Sequence, residues 1–452
     1  MSDIILVAEI GSTTTLINAF KVNGEAELCS SGLAKTTVDT DVNIGLTKAK
    51  ENLGKEFRNL NSDEFEMFAS SSAAGGLKMT VSGLVYEMTV RAAKEAALNA
   101  GANIHLITAG LLNQDNIEQI KDIRPNIILI SGGTDYGEKE TAFSNIKKVE
   151  NLKLDIPIIY AGNIENHYRV RKFFDNSSQK QHLRIVENVY PRVDFMNIHP
   201  LRKAIYETFE KHIVTAKGMQ NIKTLVNGAI MPTPGSVMEA TMLLHNLIGN
   251  VLVIDVGGAT TDIHSITEPS EEFKAYSEGE AKEKRTVEGD LGVFVNHLNV
   301  IKKIGTDKIA KDLGITSEEL KKQIDHYSYK PSNEIEEKLV YQLTKFCVFQ
   351  ALNRHVGDLK TVYTTNGMKV IPEGRDLTQV QSIVLTGGAL THLPNTEDIV
   401  LEYIKTHRKK LMPQHEIKVY KDHDYLMSSL GVLSLKYKQA AEVLLKKSLR
   451  IT

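Results

Sequence analysis

Three short turns of the chain carry residue types that can bind phosphate, and each turn follows an apolar segment directly. Glycine lets an anion approach the main chain, and the backbone N–H groups and hydroxyls of such a turn can contact it. The first turn lacks the lysine of a P-loop, and an ordinary polar hairpin turn would have the same composition. Its candidate phosphate-binding residues are Gly11, Ser12, Thr13 and Thr14.

The second turn adds charge to the same pattern. It follows the apolar residues 251–254, and Asp255 and Asp262 bracket it. One of these carboxylates can hold Mg²⁺ through water while the other orients an attacking water molecule. We therefore predict that both are catalytic and that Asp255 is also linked to the metal. The candidate phosphate-binding residues between them are Gly257, Gly258, Thr260 and Thr261.

The third turn, after residues 383–385, is uncharged. Its paired glycines would let a flat base or a ribose lie against the backbone, although a turn of this kind is common. The candidate nucleoside-binding residues are Gly387, Gly388 and Ala389. The interpretation of each turn therefore depends on the presence of the other two.

Composition limits the classes of function. The chain has 452 residues, which is enough for two or three domains, and 54 Lys and Arg nearly balance 56 Asp and Glu. This balance argues against nucleic-acid binding and against a basic membrane patch. No apolar run approaches the ~18 residues of a membrane span. Two isolated cysteines, Cys29 and Cys347, exclude a thiolate metal site within one chain. We expect a cytoplasmic protein with no nucleic-acid or membrane partner.

Apolar strands alternate with helical segments along the chain, which predicts an α/β fold. Residues from about 100 to 200 form a predicted β-α-β-α-β passage, which we interpret as an insertion in a first lobe. Helices are predicted over 236–247 and 425–447. The predicted strands that run into glycine turns are residues 4–8, 127–130, 251–254 and 383–385.

The three turns, in this order, resemble the phosphate-1, phosphate-2 and adenosine motifs of the actin-like ATPase superfamily, which includes sugar kinases, Hsp70 chaperones and actin. The resemblance implies a two-lobed, ribonuclease H-like fold with ATP and Mg²⁺ in the cleft and hinge helices that couple hydrolysis to lobe closure. It implies a first lobe over 1–248 with the inserted subdomain, a second lobe over 249–424, and a C-terminal helix over 425–452 that returns to the hinge.

One position departs from the superfamily pattern. Members usually have aspartate at the end of the first strand, whereas this chain has Glu9. The resemblance makes Glu9 a third catalytic carboxylate, linked to Mg²⁺ through water. Its extra methylene would displace that contact, so we expect hydrolysis to be slow or altered.

A narrower resemblance rests on longer blocks in both halves of the chain. These blocks are EIGSTTT (9–15), DVNIGL (41–46), ASSSAAGGLKM (69–79), SGGTD (131–135), PTPGSV (232–237) and TVEGDLG (286–292). Together they look like the glutamate mutase accessory family, labelled MutL or GlmL and unrelated to the mismatch-repair protein of similar name. Members accompany adenosylcobalamin-dependent mutases and aminomutases. The resemblance implies a reactivating or assembly chaperone whose partners are mutase subunits and ATP or ADP.

Two alternative functions stay open at this point. A small-molecule kinase of the same fold would need a catalytic base that faces the γ-phosphate, and the sequence shows no distinct sugar-binding signature. A nucleotide-gated protein without catalysis would keep the turns and the lobe movement alone.

Overall fold

The computed structural model of the protein describes residues 4–37, 41–59, 65–72, 77–213, 226, 230–276, 281–328, 330–364 and 367–451. One part of a motif block, residues 73–76, lies outside these ranges. Among the described residues, no helix combines the length and the apolar character needed to cross a membrane.

The strands of these ranges form three five-stranded sheets and one two-stranded hairpin. They are β1 (Ile4–Ile10), β2 (Thr14–Lys21), β3 (Glu27–Lys35), β4 (Phe65–Ser71), β5 (Leu77–Gly83), β6 (Ala102–Ala109), β7 (Ile127–Ile130), β8 (Ile158–Tyr160), β9 (Leu183–Ile185), β10 (Ile230–Pro232), β11 (Val251–Val256), β12 (Thr261–Ile266), β13 (Glu283–Glu288), β14 (Asp358–Thr364), β15 (Gly367–Glu373), β16 (Ser382–Thr386) and β17 (Lys418–Lys421).

The helices alternate with the strands, as the α/β prediction requires. They are α1 (Val42–Glu51), α2 (Lys55–Arg58), α3 (Arg91–Asn99), α4 (Gln114–Ile123), α5 (Glu140–Glu150), α6 (Asn166–Phe174), α7 (Ile198–Ile213), α8 (Thr233–Ile248), α9 (His297–Ile304), α10 (Thr306–Leu313), α11 (Ser317–Asp325), α12 (Glu334–His355), α13 (Gly388–His392), α14 (Glu397–Thr406), α15 (Met427–Ser434) and α16 (Lys438–Ser448).

Two of the sheets have the same topology. The first has the order β10-β4-β1-β2-β3, and the second has the order β13-β12-β11-β16-β17. In each sheet the first three strands in the chain form an antiparallel meander, and two later strands add in parallel beside the first. This order is that of the ribonuclease H-like fold, and its duplication confirms the predicted two-lobed actin-like architecture.

The inserted sheet is wholly parallel and has the order β6-β5-β7-β8-β9. Its strand β5 lies between β6 and β7, although it precedes the passage predicted from about residue 100. The sequence of β5 alternates polar and apolar residues, so it lacks the continuous apolar run of a buried strand. It is nevertheless buried: the Ser82 hydroxyl accepts a hydrogen bond from Thr108 at 2.8 Å, whereas the buried Thr80 hydroxyl has no hydrogen-bond partner.

The predicted single helix over 425–447 is wrong. The segment forms two helices, α15 and α16, separated by Leu435–Tyr437. At the end of α15, the Ser434 hydroxyl donates to the Gly431 carbonyl at 2.7 Å and competes with continued helical bonding. The hydroxyl of Tyr437 then donates to Glu66 at 2.9 Å, which fixes the new direction of the chain.

The helices α8 and α15 lie between the two similar sheets and cross very closely. A Cβ atom added to Gly431 would lie 1.8 Å from the Ser236 carbonyl oxygen, so only glycine fits. The Ser428 hydroxyl lies 2.8 Å from the hydroxyls of both Ser70 and Ser236. This crossing therefore joins strand β4 to both helices of the predicted hinge.

We predict that Gly431→Ala destabilises the chain by about 1–3 kcal/mol, the usual cost of overpacking, because α8 and α15 must separate. Urea unfolding measures the change. The matched control is Gly289→Ala, since a Cβ added to Gly289 meets nothing within 4 Å. Equal stability of the two variants would contradict the close crossing.

Candidate functional site

Two tight turns with the same hydrogen bond close the ends of β1 and β11. The N–H of Gly11 donates to the Thr14 carbonyl at 2.9 Å, and the N–H of Gly257 donates to the Thr260 carbonyl at 2.9 Å. A carboxylate precedes each glycine by two residues. The two predicted phosphate turns are therefore equivalent parts of the two lobes.

The two turns approach each other across the cleft. A Cβ atom on Gly258 would lie 2.4 Å from the Thr13 Oγ1 and 3.3 Å from the Phe294 Cβ, so glycine is required there. The Thr13 Oγ1 is buried and has no hydrogen-bond partner. An unsatisfied buried hydroxyl costs free energy, which a phosphate oxygen at this position would recover.

The third turn packs against the second. Gly387 has a φ of 87°, and an added Cβ would lie 2.5 Å from the Asp255 Oδ1 and 2.5 Å from the Val256 carbonyl oxygen. The next residue, Gly388, would direct a Cβ into open space. The first glycine is thus needed for close packing, and the second faces a cavity.

That cavity has a volume of about 530 Å³ and lies where the three turns meet. Six predicted site residues line it: Thr13, Thr14, Gly257, Gly258, Gly388 and Ala389. Its wall also contains residues that sequence reasoning did not identify, among them Phe294, Tyr327, Lys330, Glu337, His392 and Tyr425. The ring of Tyr327 stacks on His297 with centroids 4.5 Å apart, which fixes its orientation.

Other predicted residues lie beside the cavity and do not line it. The hydroxyl of Thr261 is buried and donates to the Leu291 carbonyl at 2.8 Å, so it is bonded to the loop after β13. The hydroxyl of Thr260 donates to the Asp262 Oδ2 at 2.9 Å. Gly11, Ser12 and Gly387 are also absent from the cavity wall.

Glu9 is buried at the end of β1, and Tyr425 separates it from the cavity. The Tyr425 hydroxyl donates to the Glu9 Oε1 at 3.3 Å, and the Oε2 has no hydrogen-bond partner. Burial raises the pKa of the Glu9 carboxyl to about 7, and the nearby charge of Asp422 acts in the same direction. Glu9 is therefore close to half-protonated near neutral pH.

Asp255 lies among other carboxylates. Burial raises its pKa well above the ordinary value, and the charges of Asp262, Glu9 and Asp422 raise it further. Asp422 is itself held firmly, because its oxygens accept the backbone N–H groups of Leu426 and Met427 at 3.0 Å. So much negative charge in one place favours a bound cation.

Both carboxylate oxygens of Asp262 accept hydrogen bonds from other residues of the protein. Its Oδ1 accepts the Arg285 Nε–H at 2.9 Å and a second bond from the same guanidinium, while Thr260 bonds the other oxygen. Arg285 is completely buried, and its Nη1 donates to the carbonyls of Leu98 at 3.0 Å and Ala102 at 2.8 Å. Asp262 thus connects the second phosphate turn to the first lobe. Its predicted catalytic role stays a prediction.

The residues present fit Mg²⁺ held through water. Within the described ranges, no three His, Cys, Asp or Glu side chains are placed to hold a metal directly. Mg²⁺ normally keeps several waters and binds one or two carboxylates together with substrate phosphates. Glu9, with its unpartnered Oε2, and Asp255, whose charged form burial disfavours, are the two carboxylates that a cation would stabilise.

These features define a class of protein: a two-lobed actin-like fold with a cavity between paired glycine turns. The chain belongs to the MutL protein family, whose model matches residues 5–449. Protein MutL of Clostridium tetanomorphum is 35% identical over 464 residues, which cover 99% of this chain and 99% of that protein.

Solved structures show more distant similarity. A nucleotide-free acetone carboxylase has a TM-score of 0.40 and 12% identity, over 96% of this chain and 70% of that chain. A nucleotide-free diol dehydratase-reactivating factor has a TM-score of 0.36 and 10% identity, over 97% of this chain and all of the other.

The raised pKa of Glu9 predicts a pH-dependent stability. Between its ordinary pKa of 4.5 and its folded value of about 7, the folded chain binds a proton that the unfolded chain has released. The stability from this group is therefore full below pH 4.5 and is lost as the pH rises through 7. Glu9→Gln removes this loss. Relative to that of wild type, the free energy of unfolding of the variant should rise by up to about 3 kcal/mol between pH 4.5 and pH 8.

Urea unfolding without nucleotide or Mg²⁺, at both pH values, measures this difference. A constant difference in free energy of unfolding between the two proteins would contradict the raised pKa.

Proposed function

We propose that this protein is an ATPase that reactivates or assembles an adenosylcobalamin-dependent mutase, either a glutamate mutase or an amino-acid aminomutase. One observation carries the ATPase assignment: three glycine turns converge on a single cavity beside buried carboxylates. Membership of the MutL protein family supports the partner class. A cytoplasmic location, expected from the sequence, belongs to the same proposal.

In this proposal the two hairpin turns contact the phosphates of ATP, and the third turn lies beside the adenosine. The residues concerned are Thr13, Thr14, Gly257 and Gly258 for the phosphates, and Gly388 and Ala389 for the adenosine. Backbone N–H groups bind the phosphate charge, and glycine permits the close approach.

The carboxylates divide the remaining tasks. Asp255 would hold Mg²⁺ through water, and the metal would neutralise part of the phosphate charge. The attacking water gives a proton to the Tyr425 hydroxyl, which lines the cavity, while that hydroxyl passes its own proton to Glu9, whose pKa is about 7. Water adds to the γ-phosphorus, the bond to the β–γ bridging oxygen breaks, and ADP and phosphate form.

Asp262 acts in this scheme as a positioning residue. It holds the Thr260 hydroxyl on one side and Arg285 on the other, so a shift of the phosphate turn reaches the first lobe. ATP and ADP can move a bound partner only if they favour different arrangements of the lobes. The hydrogen bonds of Arg285 to Leu98 and Ala102 would transmit a nucleotide-dependent shift from the second lobe to the first.

The test is reactivation of purified glutamate mutase that holds a cobalamin lacking the adenosyl group. The chain, ATP, Mg²⁺ and fresh coenzyme are added, and mutase activity is followed. We expect recovery with wild type and none with Asp255→Asn, which should lose more than tenfold in ATP hydrolysis. Gly388→Val should also fail, because its side chain enters the cavity, whereas Gly289→Val, on an exposed turn, should behave as wild type.

Recovery without ATP would contradict the proposal. So would a lack of recovery with every adenosylcobalamin mutase of the same cell. If ATP turnover rises instead with a small metabolite, the protein is a kinase of this fold.

One observation favours a second candidate, a nucleotide-gated protein with little catalysis. Glu9 replaces the usual aspartate, is half-protonated near neutral pH and accepts a hydrogen bond from Tyr425. In that case reactivation would proceed with ATP that is bound and not hydrolysed, and a non-hydrolysable ATP analogue would replace ATP fully.

A further inference from the structure

The five loops at the carboxyl edge of the inserted sheet share an unusual property. All five strands are parallel, so the loops that follow them emerge at one edge. Each loop carries at least one exposed large apolar side chain. In spatial order of the strands from β6 to β9, these side chains are Leu111, then Val85 and Tyr86, then Tyr136, then Ile164, and finally Val193 and Phe195.

We call this set of seven side chains the apolar edge. The exposed fractions reach 80% for Tyr136, 61% for Val193 and 60% for Leu111. Adjacent strands lie about 4.8 Å apart, so five of them extend over roughly 19 Å. Single exposed apolar residues are ordinary on a surface, whereas exposed apolar side chains on all five loops of one sheet edge are typical of an interaction site.

The loops are held in position and are not merely extended into solvent. The Asp135 Oδ1 accepts the N–H of Ile164 and the side-chain N–H of Asn188, both at 2.9 Å. The Asn163 Oδ1 accepts the N–H of Tyr136 at 3.3 Å. The loops after β7, β8 and β9 are thus bonded to one another, which reduces the entropy cost of binding a partner.

Backbone strain occurs in the same loops. Tyr136 has a φ of 63° and Asp194 a φ of 58°, a region that side-chain-bearing residues rarely adopt. Such conformations persist where the surrounding structure enforces them, and they concentrate at functional sites.

The charges of the five loops favour one kind of partner. The loops contain six carboxylates and two cationic side chains, Lys139 and Arg192, while Arg91 and Lys94 of α3 line a cavity together with Tyr86 and Glu87. Lys139 pairs with Glu165 at 3.2 Å, and Arg192 lies 4.8 Å from the centre of the Phe195 ring. The carboxylates are Glu87, Asp135, Glu138, Glu165, Glu187 and Asp194.

We propose that the apolar edge docks the mutase subunit through an apolar patch on that subunit surrounded by basic residues; this inference rests on the proposed function. Charge decides between the possible occupants. A second copy of this chain would bring two acidic rims together, and an anionic membrane would repel the rim, whereas a basic protein surface is attracted.

The position of the apolar edge also suits its task. The π-helical turn Tyr86–Val90 leads directly into α3, whose last turn includes the Leu98 carbonyl that accepts from Arg285. The second phosphate turn and the apolar edge are therefore joined by α3 and the buried ion pair between Asp262 and Arg285. A partner bound at the apolar edge would lie near the first residues of α3. Nucleotide binding would move this helix through its contact with Arg285.

The test compares two double variants of the full chain. Tyr136→Asn with Leu111→Ser removes two members of the apolar edge, and asparagine tolerates the positive φ at 136. The matched control is Tyr363→Asn with Leu401→Ser, which changes an exposed tyrosine on β14 and an exposed leucine on α14, both away from the apolar edge. Binding of purified mutase subunits is measured by sedimentation and by surface-based kinetics, together with ATP hydrolysis of the free chain.

We expect at least a tenfold weaker Kd for the edge variant, no change for the control, weaker wild-type binding as salt rises, and unchanged basal hydrolysis in both. Equal affinity of the edge variant and wild type would overturn the docking proposal and leave the proposed function standing. A wild-type dimer that the edge variant abolishes would identify a second copy as the occupant and would overturn it too. If wild type binds no mutase subunit, both proposals fail.

Discussion

The buried ion pair between Asp262 and Arg285 is the constraint on which the relation between the lobes depends. Removing either partner would leave an uncompensated buried charge, at a cost of about 3–5 kcal/mol. The guanidinium also donates to two main-chain carbonyls, those of Leu98 and Ala102. Those acceptors belong to the backbone and exist whatever side chains are present, so the contact is defined by where α3 ends and β6 begins.

The rest of the site is arranged around this contact. Thr260 ends the second phosphate turn and bonds the other oxygen of Asp262, so turn, ion pair and first lobe form one continuous bonded series. Arg375, which belongs to the same lobe as Arg285, adds a second connection to the first lobe because it pairs with Glu95 on α3 at 3.3 Å. The close crossing at Gly431 leaves little freedom at the hinge. A movement between the lobes that preserves the hydrogen bonds of Arg285 would carry α3 with it.

The sequence allowed the fold class and the three glycine turns to be predicted, because short apolar strands and glycine are local signals. Contacts between distant residues were not predictable. Tyr425 and Glu9 are 416 positions apart, and Arg285 gives no sign in the sequence that it is buried. Strand β5 was missed because its buried hydroxyls look like surface residues. The predicted C-terminal helix is divided in the structure at Leu435–Tyr437, where Tyr437 bonds Glu66, 371 positions away, a contact that no hydrophobic pattern reveals.

The most direct measurement of the central claim, that the nucleotide acts on the partner through Arg285, is the ratio of Kd values for the mutase subunit with ATP and with ADP. Arg285→Lys keeps the charge but loses the fork that bonds Asp262 and two carbonyls together. Circular dichroism first establishes that the variant is folded. We predict a ratio of at least fivefold for wild type and close to one for the variant, because coupling is a difference in binding free energy between two states. A folded variant that keeps the wild-type ratio would contradict this mechanism.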